Sequence, residues 1–384
     1  MIYFVILLPI LLSTINYGKG KNKIKDFLTY NFLLILLILL AALRFRVGGD
    51  TLAYMDTFKD LPKLSDLPTF DFKEAQYDPL WYIFNALIKS IYDNFIFFQL
   101  IHAIIINTII FWFIRKYSKF KYISILFYYI FYYLYFNMEI LRESLAVCVF
   151  LLSVPYLLQK KWLIYFSISI VAFLFHSSAL IAFFIPFMSR KLKFQYYILI
   201  FSLLTMFIFI KPYELFSMFT FSGRVDNRIL LYTNLNVTIY GILMQLILII
   251  PVMVLQRIRK INKLEIHKFE YLLTAYIVLG LLASVIGGFY RFLNYLSFIS
   301  IIYIVDTITI IYKYRINYFK SFLKVQFVVF ILLFHQGFYM FTDTSKFQLH
   351  TKFYNMYLPY YSVFDEHRDL QREKLYYNLM DITN

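Results

Sequence analysis

Apolar runs of about 15–20 residues recur from one end of the chain to the other, separated by short polar breaks. The runs predict membrane-spanning helices at roughly 2–17, 27–43, 94–114, 121–137, 139–158, 162–175, 177–189, 194–210, 237–256, 269–288, 291–312 and 322–341. Segment 79–92, PLWYIFNALIKSIY, is too short and too polar for a span. Leu80, Phe84, Leu87, Ile88 and Ile91 fall at helical spacing, so it predicts a helix that lies in the interface or re-enters it. The first run lacks a charged start and is followed, not preceded, by lysines, so it reads as a span and not as a cleaved leader.

The expected fold is therefore an all-α polytopic integral membrane protein with about twelve transmembrane helices. Residues 1–341 form one transmembrane helical domain with long loops at 44–93 and 211–236, and 342–384 form a tail. Composition agrees: 61% of the 384 residues are hydrophobic and only 16% charged, with a mean hydropathy of +0.67. Soluble domains are nearer 45–50% and about 25%. Cys148, the one cysteine, lies within an apolar run, so no intrachain disulfide can form.

The net charge of +16 raises the question of nucleic acid, but no binding motif for it is present. The basic residues instead cluster in short loops between runs: 19–25, 115–121, 160–161, 190–193, 257–268 and 313–324. With residue 1 outside and twelve spans, every dense lysine cluster falls on the cytoplasmic side and nearly every acid outside. Loops 44–93 and 211–236 and the tail are then extracytoplasmic.

Against that trend, several arginines fall on the outer side: Arg44 and Arg46 in RFRVGGDTLAY, Arg142 in NMEILRESLAV, Arg224 and Arg228 in SGRVDNR, and Arg291 in GGFYRFLNY. A guanidinium stays charged and pairs two oxygens at once, which suits phosphate or pyrophosphate. Helix-end arginines also snorkel to headgroups, and loop arginines can simply be solvated. Arg142 is harder to explain that way, because an arginine within a span costs roughly 2.5–3.5 kcal/mol. Glu139 and Glu143 offer it ion-pair partners. His176, in LFHSSALIAFF, also lies at an outer boundary, where it either marks a break between spans or serves as a proton carrier. Asp50 follows the Gly48-Gly49 turn, a candidate general base with Tyr54 and Tyr290 nearby in their motifs. Convergence of these groups on one face implies a cavity for an anionic ligand. Walker, HExxH, CxxC and GxSxG patterns are all missing, which argues against ATP hydrolysis and zinc chemistry.

Three stretches resemble the EpsG-like branch of bacterial exopolysaccharide, capsule and O-antigen (Wzy-like) polymerases. They are LRFRVGGDTLAYMDTF, the block LRESLAVCVFLLSVPYLLQKKWLIYFSISIVAFLFHSSALIAFFIPF, and GGFYRFLNYLSFISI; the tail piece YNMYLPYYSVF is similar as well. The central block is the most specific. Gly48-Gly49-Asp50 stands where a Gly-Thr-Asp order is common in the family.

The resemblance implies a glycosyltransferase-type polymerase at the outer face of the bacterial cytoplasmic membrane, joining oligosaccharide repeat units carried on undecaprenyl pyrophosphate. Arg142 and Arg291, then Arg44, Arg46, Arg224 and Arg228, would hold pyrophosphate; His176, Asp50 or Glu143 would take the acceptor proton, with His176 placed ahead of Asp50. Glu139, Tyr54 and Tyr290 would bind sugar or orient the others. No cofactor, metal or nucleic acid is implied. Membrane lipid, a chain-length regulator and a flippase are candidate partners. A lipid-linked oligosaccharide flippase and a membrane sugar O-acetyltransferase are the competing readings. The first should carry charges deep in its spans, of which Asp306 is the clearest here; the second draws its acyl donor from the cytoplasm.

Overall fold

The apolar runs fold as helices, and Pro9, Pro155, Pro186 and Pro251 lie inside four of them. The computed structural model describes residues 2–16, 22–70, 77–189, 193–208, 239–286, 288–313, 318–342 and 352–383. Those residues are all-α, with sixteen α-helices and no strand beyond one isolated bridge. Six helices are long and apolar enough to cross a membrane: Lys23–Ala42, Phe95–Tyr117, Leu141–Leu158, Ile242–Ile261, Tyr290–Lys313 and Leu323–Met340. Several shorter apolar helices accompany them. This is an integral membrane protein, and among the described residues six long helices and several shorter apolar ones stand where a dozen spans are expected.

The chain divides into two compact units. The first holds Met1–Leu180 together with Tyr339–Ile382. Its helices are α1 (Ile2–Asn16), α2 (Lys23–Ala42), α3 (Thr51–Asp60), α4 (Pro79–Ile91), α5 (Phe95–Tyr117), α6 (Lys121–Phe131), α7 (Tyr133–Met138), α8 (Leu141–Leu158) and α9 (Trp162–Phe175). Asn22 starts α2 by accepting from the Ile24 and Lys25 amides, and Asn94 starts α5 by accepting from Ile96. Pro79 sits in the first turn of α4, where its missing N–H costs nothing. Helix α5 packs against α2, α6 and α8, and α9 against α8 and α4.

Where the sequence predicts one span over 121–137, the helix breaks at Tyr132. A buried polar ring explains the break. Asn107 Nδ2 donates to Asn137 Oδ1 (2.7 Å), Tyr128 Oη donates to Asn107 Oδ1 (3.0 Å), and Asn137 Nδ2 donates to Tyr128 Oη (2.7 Å) and to the Tyr133 carbonyl (2.9 Å). These groups lie in the core, where an unmade hydrogen bond costs about 1–3 kcal/mol, so they dictate the local backbone. A second turn at Glu139–Ile140 then separates α7 from α8. The run at 177–189 is likewise not one span helix, being a 3-10 turn over Ser177–Leu180 followed by α10 (Ile181–Met188).

The C-terminal residues of this unit thread back into it. Arg44 and Ser362 form an antiparallel bridge, with Phe45 N–H donating to the Tyr361 carbonyl and Val363 N–H to that of Leu43, each at 2.9 Å. Arg372 is 2% exposed. Its guanidinium donates to the carbonyls of Asn355 (3.0 Å) and Pro359, and its ring neighbour is Tyr361 at 5.6 Å. The short 3-10 turn Phe353–Met356 and the final helix α16 (Leu370–Thr383) complete the segment.

The second unit, Ile181–Phe338, holds α10, α11 (Phe194–Ile208), α12 (Ile239–Ile261), α13 (Leu272–Val285), α14 (Tyr290–Lys313) and most of α15 (Tyr318–Met340). Helix α13 is central to it, touching α10, α11, α12 and α14. Asp306, the deep charge of α14, is buried beside His267 (Oδ2 to Nε2 3.3 Å), and its neighbour Thr307 accepts from Arg259 at 3.1 Å.

Candidate functional site

In the first unit, the sequence RFRVGGDT wraps over the turn between α7 and α8. Gly48 has φ +122°, a conformation that side chains disfavour, and its N–H donates to the Met356 carbonyl at 2.9 Å. A β-carbon there would collide with the Met138 carbonyl. Thr51 Oγ1 donates to the carbonyls of Val47 (2.9 Å) and Met138 (3.1 Å), pinning the start of α3 to the same turn. Both glycines are thus explained by close approach to Met138 and Glu139.

Glu139 is the centre of this contact. Tyr339 Oη donates to its Oε1 (3.0 Å) and Oε2 (2.9 Å), and Tyr357 Oη donates to Oε2. Asp50, exposed at the start of α3, faces it electrostatically. Burial first, and the Asp50 charge second, push the Glu139 carboxyl up to about 7 against the two phenol hydrogen bonds.

Arg142, in the first turn of α8, lies nearby in sequence with its side chain 14% exposed. The guanidinium stacks over the Tyr77 ring, 4.2 Å from its centroid. Asp78 Oδ2 is 3.8 Å from Nη1, an ion pair too long for a hydrogen bond. Tyr54, from α3, engages the same guanidinium and packs on Trp81 at 5.4 Å. Nε and Nη1 are buried and have no hydrogen-bond acceptor among the described residues. A planar cation with two unsatisfied donors is suited to take two oxygens of one anion.

The other expected site residues are distributed as follows. Arg44 is 1% exposed and donates through Nε to the Val47 carbonyl (3.1 Å) and through Nη1 to that of Ala41, so it caps the C-terminal end of α2. Arg46, at φ +54°, pairs with Glu373 (Nε to Oε1 2.6 Å), which Arg368 also binds. Glu143 is buried in the first turn of α8. His176 ends α9, 5% exposed; the Ser178 amide donates to its Nδ1 at 3.2 Å, and Ser178 Oγ lies 2.7 Å from the same nitrogen. An amide only donates, so Nδ1 accepts and the neutral ring carries its proton on Nε2. Tyr290 and Arg291 open α14 in the second unit, after Gly288 at φ +82°. Arg224 and Arg228 lie outside the described residues.

Asp50 therefore faces Glu139, and Tyr54 faces Arg142, on the two sides of the turn between α7 and α8. The sequence reading missed Tyr77 and Asp78 beside Arg142, and Tyr339 and Tyr357 on Glu139. Only the Tyr357 stretch carried a signal, the family-like YNMYLPYYSVF. Among the described residues, no three His, Cys, Asp or Glu side chains converge as a metal site.

No curated protein and no solved structure matches the chain. The model of the EpsG family matches residues 27–362, a stretch that takes in the glycine loop, the Glu139–Arg142 turn, His176, Arg291 and Tyr357. With most of its length so matched, the chain belongs to the EpsG family, which is linked to exopolysaccharide synthesis.

Proposed function

We propose that the protein is a polysaccharide polymerase that joins oligosaccharide repeat units carried on undecaprenyl pyrophosphate, acting at the outer face of the bacterial cytoplasmic membrane. The observation that carries the reading is Arg142: a guanidinium with two unsatisfied buried donors, three residues from a carboxylate held near neutrality. One suits a leaving pyrophosphate, the other an attacking hydroxyl.

In the reaction, a sugar hydroxyl of one lipid-linked unit attacks the anomeric carbon of another. The new C–O bond forms as the bond to pyrophosphate breaks, and negative charge grows on the leaving oxygen. Arg142 stabilises that charge. Glu139 takes the hydroxyl proton. With a carboxyl near 7 it is a stronger base than an ordinary glutamate and still substantially ionised at neutral pH. Asp50 holds it there by charge. His176, with its proton on Nε2, is suited to donate to a phosphate oxygen instead of abstracting a proton. Glu143, buried in the first turn of α8, is given no step in this reaction.

The test uses the full chain in lipid vesicles supplied with undecaprenyl-pyrophosphate-linked repeat units. A ladder of lengthened glycan, lost in Arg142→Ala and Glu139→Gln, is expected. Movement of unlengthened units across the bilayer, or acetylation of them, would replace this reading with a flippase or an acetyltransferase.

A further inference from the structure

Both oxygens of the Glu139 carboxylate are engaged by phenols from chain segments far away in sequence. Tyr339 stands near the end of α15 and Tyr357 follows the turn Phe353–Met356. Phe353 lies between them, its ring 4.8 Å from that of Tyr339 and 6.0 Å from that of Tyr357, both edge-on. Tyr357 is 1% exposed, and its backbone carbonyl accepts from Tyr3 Oη at 3.2 Å. The phenols are thus locked by packing, and neither can swing away without breaking the aromatic row.

A hydroxyl that donates to a carboxylate stabilises the charged form. Here two such donors oppose burial and the Asp50 charge, which favour the neutral acid. They are also unequal: Oε2 receives both phenols, whereas Oε1 shares only the Tyr339 proton. Oε1 therefore keeps the more accessible lone pair. The titratable groups facing Glu139 are Asp50 from the loop before α3, Tyr339 from α15 and Tyr357 from the C-terminal segment, with Tyr135 of α7 facing Tyr339.

We propose that Tyr339 and Tyr357 are positioning residues, which keep the Glu139 carboxylate ionised and turn Oε1 toward the acceptor hydroxyl. The proposal rests on reading Glu139 as the base.

Its test compares the intact chain with Tyr339→Phe, Tyr357→Phe and the double variant in lipid vesicles, by two readings. One is the infrared carboxyl band of Glu139, identified by its disappearance in Glu139→Gln. The other is the pH dependence of elongation on lipid-pyrophosphate-linked repeat units. Each lost hydroxyl should move the titration midpoint and the acid limb of kcat together to higher pH, by about one unit, with KM little changed. A double variant whose activity falls while the Glu139 midpoint stays in place would overturn the proposal, leaving the phenols merely structural. If the midpoint moves but the unaltered chain elongates nothing, the phenol–carboxylate linkage stands and the polymerase reading falls.

Discussion

Gly49 and Glu139 are in contact across two chain segments: a β-carbon on Gly49 would sit 2.8 Å from Glu139 Cγ and 3.1 Å from Cδ. Glycine at 49 is therefore a requirement of the carboxylate's position more than of the loop's own conformation. Gly49→Ala should displace Glu139 and cut glycan elongation at least about tenfold while the protein reaches the membrane in normal amount. Gly48→Ala adds backbone strain at φ +122° and should lower the folded yield as well. Glycan sizing against membrane-extracted protein separates the two effects.

The pH dependence follows from the same carboxylate. As the proposed base, Glu139 would act when ionised, and with its carboxyl raised to about 7 that form would be lost as pH falls through 7. Elongation should drop about tenfold per unit below that point. Asp50 raises the value by its negative charge, so Asp50→Asn should move the acid limb to lower pH. A pH profile of single-turnover elongation checks the direction.

At Arg142, charge and shape can be separated. Arg142→Lys keeps the charge but loses the planar fork, and Arg142→Ala loses both. We expect elongation to fall about 100-fold or more in the alanine variant and by an intermediate factor in the lysine variant. Tyr77→Phe keeps the ring under the guanidinium and should stay close to the unaltered rate, whereas Tyr77→Ala removes a contact worth about 0.5–2 kcal/mol. Rates at saturating lipid-linked substrate would show the order.

Glu373 ties the C-terminal helix to the first loop. The hydrogen bond from Arg368, and then that from Arg46, hold its carboxyl down to about 2. A depressed carboxyl contributes stability that is complete above the ordinary glutamate value and fades as pH falls through about 2. Arg368 is mostly exposed, which screens part of the effect. Glu373→Gln should thus destabilise the protein by about 1 kcal/mol at pH 7, with the gap closing in strong acid. Thermal unfolding in detergent at several pH values measures it.

Much of the architecture is legible in the sequence because apolar length and local start signals are local properties. The run beginning at Phe95, the helix at 79–91 and the start of the Arg142 helix all follow from them. Helix α3 is also local, since Thr51, Tyr54, Met55 and Phe58 repeat at helical spacing, but its polar partners hide it within a loop. The break at Tyr132 depends on Asn107 from another helix, so no window around residue 132 reveals it. The site divides in the same way. Arg142 and Asp50 stand out by charge in an apolar chain, whereas Tyr339 and Tyr357 are two of 36 tyrosines and gain meaning only from the carboxylate they reach. Arg44 stands out in the sequence by charge alone, and only the fold shows that its Nε and Nη1 reach the carbonyls of Val47 in the loop and Ala41 in α2.

The bridge between Arg44 and Ser362, with Arg372 clamped behind it, also has a consequence for biogenesis. The glycine loop leaves the ribosome early, and the strand-like piece that completes it emerges only after the intervening helices have been inserted. Until then the Gly48 amide and the Glu139 carboxylate lack their partners Met356 and Tyr357. The surroundings of the proposed base are thus completed last, by the segment that carries Met356 and Tyr357.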